Sequence, residues 1–578
     1  MKKIPLHLYT LSGAPTREAY DEAALAACLQ GLYNRENGPG VYLLTPPKTR
    51  ETPLPPAPMP GQSRPRYWLD KFTAPGQWLA GREHVTHGSI GALCALARPW
   101  VKKAVIWDED VDASFNTAFT IAGVEDGVVL SPGYAEKILP LFSGVEVVDL
   151  RGKFTGAVSG SRKNDAHLWA IENYLAKGLC SKHWLCLYSD PFRAREKGEV
   201  GYVVTRDWCV CNRAFVFDLS PWGDEVPLDD PGQPLGRDLE TYHVMLAEQL
   251  RQTEGKQMTE VAGFFNFQKY SKVEGHEECA HEPVPTEWES VHIMSAYNCY
   301  QNTVAQECFN QSLHAQFPFK PLKQARPPSI GEVENAVYLG IQMCDYDSTT
   351  PLYDFLPNHW DDPARGTLAL SWGINPNLIE TYPDIISYLY ETAAPNQDVF
   401  VADASAAGYF NPSRIQPRHW DMVVAHNRRF FNLTDMTMAP MVLDWEPPTP
   451  EILDQLVKFA PDGIAFICHW FHRLHLKERC AAWTQISTHR GVVVDKMFNG
   501  VCDGAPPDQA AARIRDHLLK DDVPGKPAFH YIRVVWQSPS YILEMLAEIK
   551  RLRPDLDIRL VNTHAYFRLY KRFLEETP

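Results

Sequence analysis

Ala336-Val337-Tyr338-Leu339-Gly340-Ile341-Gln342-Met343 is an almost unbroken apolar run, and runs of the same kind recur at 367–373, 398–404, 438–444, 463–469, 491–497, 528–535 and 557–563. A strand buried on both faces reads this way, whereas a strand with one wet face alternates. Helix-like segments separate the runs at 377–393, 413–430, 449–459, 476–486, 507–519, 539–552 and 565–575. Parallel strands need such crossovers, because a tight turn can join only antiparallel neighbours. Eight strand–helix units in succession predict an α/β fold with a C-terminal TIM-barrel-like (β/α)8 domain over 241–578. An open doubly wound sheet is the competing arrangement. Val261-Ala262-Gly263-Phe264-Phe265 is an alternative first strand, with the last run then peripheral.

Upstream the pattern is shorter in range. A helix is expected over 18–34, a strand at 41–44, and an extended loop over 46–65, where eight prolines fall. Strand 104–107 precedes a helix near 113–122, and strand 145–150 precedes one from 164 to 178. Residues 201–218, including Cys209-Val210-Cys211, read as strand-like, and Pro221 to Pro234 is a break. Small α/β domains at 1–100 and 101–240 follow from this pattern, with two small domains as the alternative for the second.

The chain has 578 residues, a formal net charge of -15, 45% hydrophobic and 22% charged residues. That acidity argues against a nucleic-acid surface, which needs clustered Lys and Arg. No apolar stretch is long enough to span a bilayer, and the start Met1-Lys2-Lys3-Ile4-Pro5 lacks the apolar core of a signal peptide. Thirteen scattered cysteines fit free thiols better than a disulfide framework, so a cytoplasmic location is expected. No cofactor is expected, since Walker A, GxGxxG, GxSxG and HExxH motifs are all missing.

In a barrel the C-terminal strand ends carry the chemistry. Here they read Asp345 and Asp347, Asn375, Asp403, Asp444, His469, Asp495, Trp536, and Asn562 with His564. Asp345 and Asp347 stand at i and i+2, which in extended backbone places both on one face, close enough for each to perturb the other's proton affinity. Such pairs suit the acid and base roles of glycoside hydrolysis. Asp345, Asp347, Asp403 and Asp495 are the catalytic candidates. Asn375, Asp444, His469, Asn562 and His564 are candidates for sugar hydroxyls, Trp372, Tyr409 and Trp536 for walls, and Glu287 for a reserve acid. His469, His472 and His475 offer a metal-site alternative of deacylase type, although i and i+6 cannot converge on one helix. Ser405-Ala406-Ala407-Gly408-Tyr409-Phe410-Asn411-Pro412, with Gly408 at its centre, describes backbone held tightly at a strand end.

That octet resembles the signature of the GxGYxYP family of putative glycoside hydrolases, matching at Gly408, Tyr409 and Pro412, with Ala406 for the first Gly and Asn411 for the last Tyr. Asp345-Tyr346-Asp347-Ser348, Trp360 to Gly366 and Ser371 to Leu378 resemble the family's segments in the same order. Gly263-Phe264-Phe265, Lys269-Tyr270, Glu287-Trp288-Glu289, Ser295 to Asn298 and Leu29 to Arg35 do so upstream. The resemblance implies small N-terminal domains ahead of a barrel and a carbohydrate substrate. Ala406 in place of Gly implies a less strained backbone or a ligand set slightly further off, and Asn411 in place of Tyr removes one stacking platform. A glycosidase acting on an oligosaccharide or glycoside is the leading expectation. A non-catalytic carbohydrate-binding protein is the alternative from a different class.

Overall fold

The computed structural model describes residues 4–14, 16–47, 63–187, 206–270, 281, 283–305, 308–326, 331–443, 448–468, 487–501 and 504–576. The chain forms two compact units, one from residues 1–49, 60–318 and 381–383, the other from 50–59, 319–380 and 384–578.

The first unit holds three small all-parallel sheets. Leu6–Thr10 lies between Val41–Leu44 and His84–His87. Lys103–Ile106 lies between Gly127–Leu130 and Glu146–Asp149. The third sheet runs Cys299–Asn302, Thr259–Ala262, Trp184–Leu187, Phe215–Phe217. Residues 241–318 therefore group with this unit, and the run beginning at Val261 is not a barrel strand. Cys209 and Cys211 lie on a helix, Arg206–Cys211, not on a strand. Both are thiols outside any disulfide, and Cys209 is buried.

The second unit contains the eight-strand succession. Its strands are β1 (Val337–Cys344), β2 (Leu370–Gly373), β3 (Asp398–Val401), β4 (Met438–Leu443), β5 (Gly463–Cys468), β6 (Val492–Val501), β7 (Ala528–Val535) and β8 (Ile558–Val561). They pair in parallel in the order β3-β2-β1-β7-β6-β5-β4. The Ala402 N–H donates to the Met438 carbonyl at 3.4 Å, which brings the two edges together. The result is a nearly closed parallel barrel, not an open doubly wound sheet. A short strand, Ser487–His489, adds an antiparallel edge to β6.

β8 departs from regular barrel geometry. It pairs with β1 only over Val337–Gly340, while β2 pairs with β1 further along, at Gln342–Met343. β8 thus fills the lower half of a gap and stops level with Gly340. The helix that follows, Thr563–Glu576, packs Tyr566, Phe567 and Tyr570 against Tyr338, Ala465, Val493 and Phe529, residues near the beginnings of their strands. Gly463 gives these rings room: a Cβ there would lie 2.4 Å from the Phe567 ring. The barrel's core is aromatic below and polar above.

Candidate active site

Asp345 is the first residue after β1 and adopts the left-handed conformation, φ 65°. A non-glycine residue held there costs on the order of 1 kcal/mol, so neighbours must impose it. They do so at three atoms. The Asp345 N–H donates to Asp403 Oδ2 at 2.7 Å, its carbonyl accepts from Trp536 Nε1 at 2.8 Å, and Oδ1 accepts from Arg533 Nη2. Arg533 Nη1 is fixed in turn by Asn499 Oδ1 at 2.9 Å. The Asp345 side chain is still 25% exposed, so the clamp leaves the carboxylate facing the mouth.

Asp403 follows β3 and is only 1% exposed. Besides Asp345 it receives the Ala404 N–H at 3.0 Å and Gln342 Nε2 at 3.2 Å. Burial, and then the charge of Asp345, push its carboxyl up to about 7, with Arg533 pulling the other way. Gln342 carries the network downward: its Oε1 accepts from Tyr531 OH at 3.0 Å, and that hydroxyl meets Thr563 Oγ1 at 2.8 Å. Gly373 on β2 is what admits Asp403, since a Cβ there would lie 2.5 Å from Oδ2 and 2.8 Å from Cγ.

The octet is also strained. Ala406 and Gly408 have φ of 112° and 99°, and Ala404, just before it, has 47°. The expectation of a relaxed backbone at Ala406 is therefore overturned: the alanine keeps a glycine-like conformation. An Asp403–Ala406 bridge, the Ala407 N–H to Asn427 Oδ1 at 2.9 Å, and His426 Nε2 to the Ala407 carbonyl at 2.9 Å over-determine the turn. Tyr409 and Phe410 are buried at 2% and 0%, so this turn packs inward and presents no open stacking face. Asn411 accepts from the Ser413 N–H and Oγ at 3.0 and 2.7 Å, capping the next turn.

The remaining candidates divide clearly. Asp347 is half-buried beside Asp345 and accepts from Ser348 Oγ at 3.0 Å. The left-handed turn at Asp345 removes the extended geometry that was to put the two acids on one face. Asn375 lies just past β2, 1% exposed, and neither side-chain polar atom has a partner among the described residues. Trp536, with φ 48°, packs edge-on against Phe355.

Trp372 is fully buried and donates to Asp398 at 2.9 Å, packed against Trp360 and Tyr346, so it is core and not a sugar platform. Asp495 sits early in β6. The pairs Met497–Tyr531 and Tyr338–Phe529 put it level with Tyr338, seven residues or roughly 23 Å before Asp345 along the strand direction. It accepts from Tyr566 OH at 2.7 Å, and burial raises its carboxyl to about 6. Asn562 and His564 also miss the mouth, because β8 ends short. Asn562 donates to the Asn396 carbonyl, which precedes β3, and buried His564 is pushed down to about 4 chiefly by loss of water. Glu287 belongs to the other unit, on helix Pro283–Ser295. Asp444, His469, His472 and His475 lie outside the described residues. Among the described residues no group of three His, Cys, Asp or Glu is arranged to hold a metal ion, and no helix is long and apolar enough to cross a membrane. Arg533, Gln342 and Asn499 were not singled out by the sequence reading. Their signal was a polar residue interrupting an apolar strand.

Residues 335–571, which contain this whole constellation, match the family described as the GxGYxYP putative glycoside hydrolase C-terminal domain, and residues 101–179 match the GxGYxYP_N second domain. The chain belongs to the GxGYxYP family. Among solved structures it is similar to a putative hydrolase from Bacteroides thetaiotaomicron VPI-5482, at 15% identity and TM-score 0.69 over 99% of this chain and 95% of that one. That likeness extends the shared fold across both units. A second match, the Bc1960 peptidoglycan N-acetylglucosamine deacetylase, has 14% identity and TM-score 0.21 over 41% of this chain and 91% of that one, too low to bear on the fold. No curated protein matches.

Proposed function

We propose that this GxGYxYP protein hydrolyses O-glycosidic bonds of an oligosaccharide or glycoside at the C-terminal mouth of the barrel, with Asp345 and Asp347 as the carboxylates that meet the sugar. The observation that carries the reading is the three-point clamp on Asp345. A strained carboxylate held at its N–H, its carbonyl and its side chain, yet open to the mouth, is preorganised for contact with a ligand. Glycoside hydrolysis asks for one carboxyl group that protonates the leaving oxygen and one that, ionised, activates water or attacks carbon. Asp345 and Asp347 supply two acids, the first ion-paired with Arg533, the second accepting from the Ser348 hydroxyl. Asp403 is a positioning residue. Too buried to meet substrate, it fixes the Asp345 main chain. The family description supports the substrate class, and the location is where barrel enzymes build their sites.

A panel of chromogenic glycosides tests this. Turnover by the wild type and its loss in Asp345→Asn and Asp347→Asn, both unfolding as cooperatively as the parent, is the expected result. Full activity in both variants removes the paired acids. Sugar binding without turnover of any substrate in the panel replaces hydrolysis with a binding role.

A further inference from the structure

Strand His84–His87 is one edge of a three-stranded sheet in the first unit, and none of its four residues is buried. The opposite edge, Val41–Leu44, is buried at every residue. Among the described residues the only strand that His84–His87 pairs with is Leu6–Thr10, in the register Leu6–His84, His7–Val85, Leu8–Thr86 and Tyr9–His87. Removal of apolar surface from water is the main force holding an element in place. It secures Val41–Leu44 and acts only weakly on an exposed edge, so individual side-chain contacts decide whether His84–His87 stays docked.

One such contact joins the two strands. His7 Nδ1 lies 3.0 Å from His87 Nε2, with the ring centroids 5.2 Å apart. Alternation puts His7, Val85 and His87 on one face of the sheet and His84 on the other, so of this strand's two histidines only His87 meets His7. At that distance one nitrogen donates and the other accepts, and the accepting ring must be neutral. A first added proton leaves the bond intact, because an imidazolium still donates. A second makes both nitrogens donors and sets two positive charges at contact distance. The neighbours also resist charge. Tyr33 of helix Arg17–Asn37 stands edge-on to His7 at 5.6 Å, and Arg82 and Glu83 precede the strand. Arg82 donates to the carbonyls of Ile4 at 2.7 Å and Pro5 at 3.0 Å, which keeps its charge beside His7. Loss of water, then His87 and Arg82, lower the proton affinity of His7, with Glu83 acting the other way, and loss of water lowers that of His87.

We propose that the His7–His87 contact is an acid-released latch, holding strand His84–His87 on the sheet at neutral pH and freeing it when both imidazoles carry a proton. Once released, the two rings return to the ordinary histidine value near 6.5. The released strand then takes up protons that the docked strand refuses, so docking is retained above about pH 6.5 and lost as pH falls below it. Release bares the hydrogen-bonding groups of Leu6–Thr10 on that side, and the sheet gains an open edge in acid.

Hydrogen exchange of the full chain, followed by mass spectrometry at pH 7 and pH 5 with labelling times scaled to the intrinsic exchange rate, gives the measurement. Protection over residues 84–87 is expected to fall at least about tenfold in acid, the weight of one excluded proton over one pH unit, while Val41–Leu44 keeps its protection. His87→Gln, whose amide still donates and accepts but takes no charge, should protect 84–87 equally at both pH values, and His7→Gln should do the same. His84→Gln, changed on the other face, should lose protection as the parent does. Unchanged protection in the parent, equal loss over Val41–Leu44, or loss that persists in both His7→Gln and His87→Gln overturns the proposal. The parent alone can refute it, so a variant that fails to fold leaves the test standing.

Discussion

Gly373→Ala is the sharpest probe of the site's packing. Gly373 is not among the residues with positive φ, so alanine suits its backbone, and by unfolded-chain entropy alone the change stabilises by about 0.4–1 kcal/mol. The new methyl, however, would stand 2.5 Å from Asp403 Oδ2, 2.7 Å from Gln342 Nε2 and 2.8 Å from Asp403 Cγ. Oδ2 is the oxygen that accepts the Asp345 N–H, so moving it loosens the clamp. Overpacking of this kind costs about 1–3 kcal/mol, and a net loss of about 1–2 kcal/mol is expected. In an Asp403→Ala background two of the three clashing atoms are gone, and Gln342 is free to swing. There the same glycine change should be neutral or slightly stabilising. The double-mutant cycle therefore predicts a coupling of about 1–3 kcal/mol, read from urea midpoints at constant slope. Equal costs in both backgrounds would mean that Gly373 does not make room for Asp403.

Two further outcomes follow from the same geometry. Asp403 has a folded-state proton affinity raised to about 7, above that of an unfolded aspartate near 3.9, so between those pH values the native state binds the extra proton and stability falls as pH rises. Asp403→Asn should accordingly gain on the wild type between about pH 4 and pH 7 in urea titrations, and a difference that does not change with pH would contradict the burial argument. Trp372→Phe should cost about 1–3 kcal/mol by leaving Asp398 Oδ1 without its indole donor, while sugar affinity measured by titration stays unchanged. A specific loss of sugar binding would return Trp372 to the mouth.

The fold was legible because each barrel strand is buried on both faces and so writes its position as a contiguous apolar run. The eight expected runs and the eight observed strands agree to within a few residues at each end. The helix at 206–211 was missed for a related reason: Trp208, Cys209 and Val210 are all buried, and so short an apolar run has no periodicity to separate it from a strand. Positive φ at Asp345 and Ala406 was not legible either, because side-chain identity at those positions favours the ordinary regions and tertiary contacts impose the other.

The site was harder to read than the fold because a list of strand ends assumes that all strands end at one level. β8 breaks that assumption by pairing with only the first half of β1, which lowers Asn562 and His564 out of the mouth. Asp495 fails for the complementary reason: β6 runs on to Val501, so an acid near its start cannot be at its end. Alternation within a strand was the better guide. Gln342 meets Asp403 inside the barrel, and Gly373, in register with Val401 beside it, faces the same carboxylate, so Trp372 between Ser371 and Gly373 must point outward. By the same parity Arg533 points inward with Tyr531, two residues before it. An arginine on the inner face of an apolar strand needs an acid near the strand's end, and Asp345 is the acid that β1, paired along its full length with β7, delivers there. The polar residue that interrupts an apolar run, read together with its parity, therefore locates the polar constellation around Asp345 more reliably than the residues that close the strands.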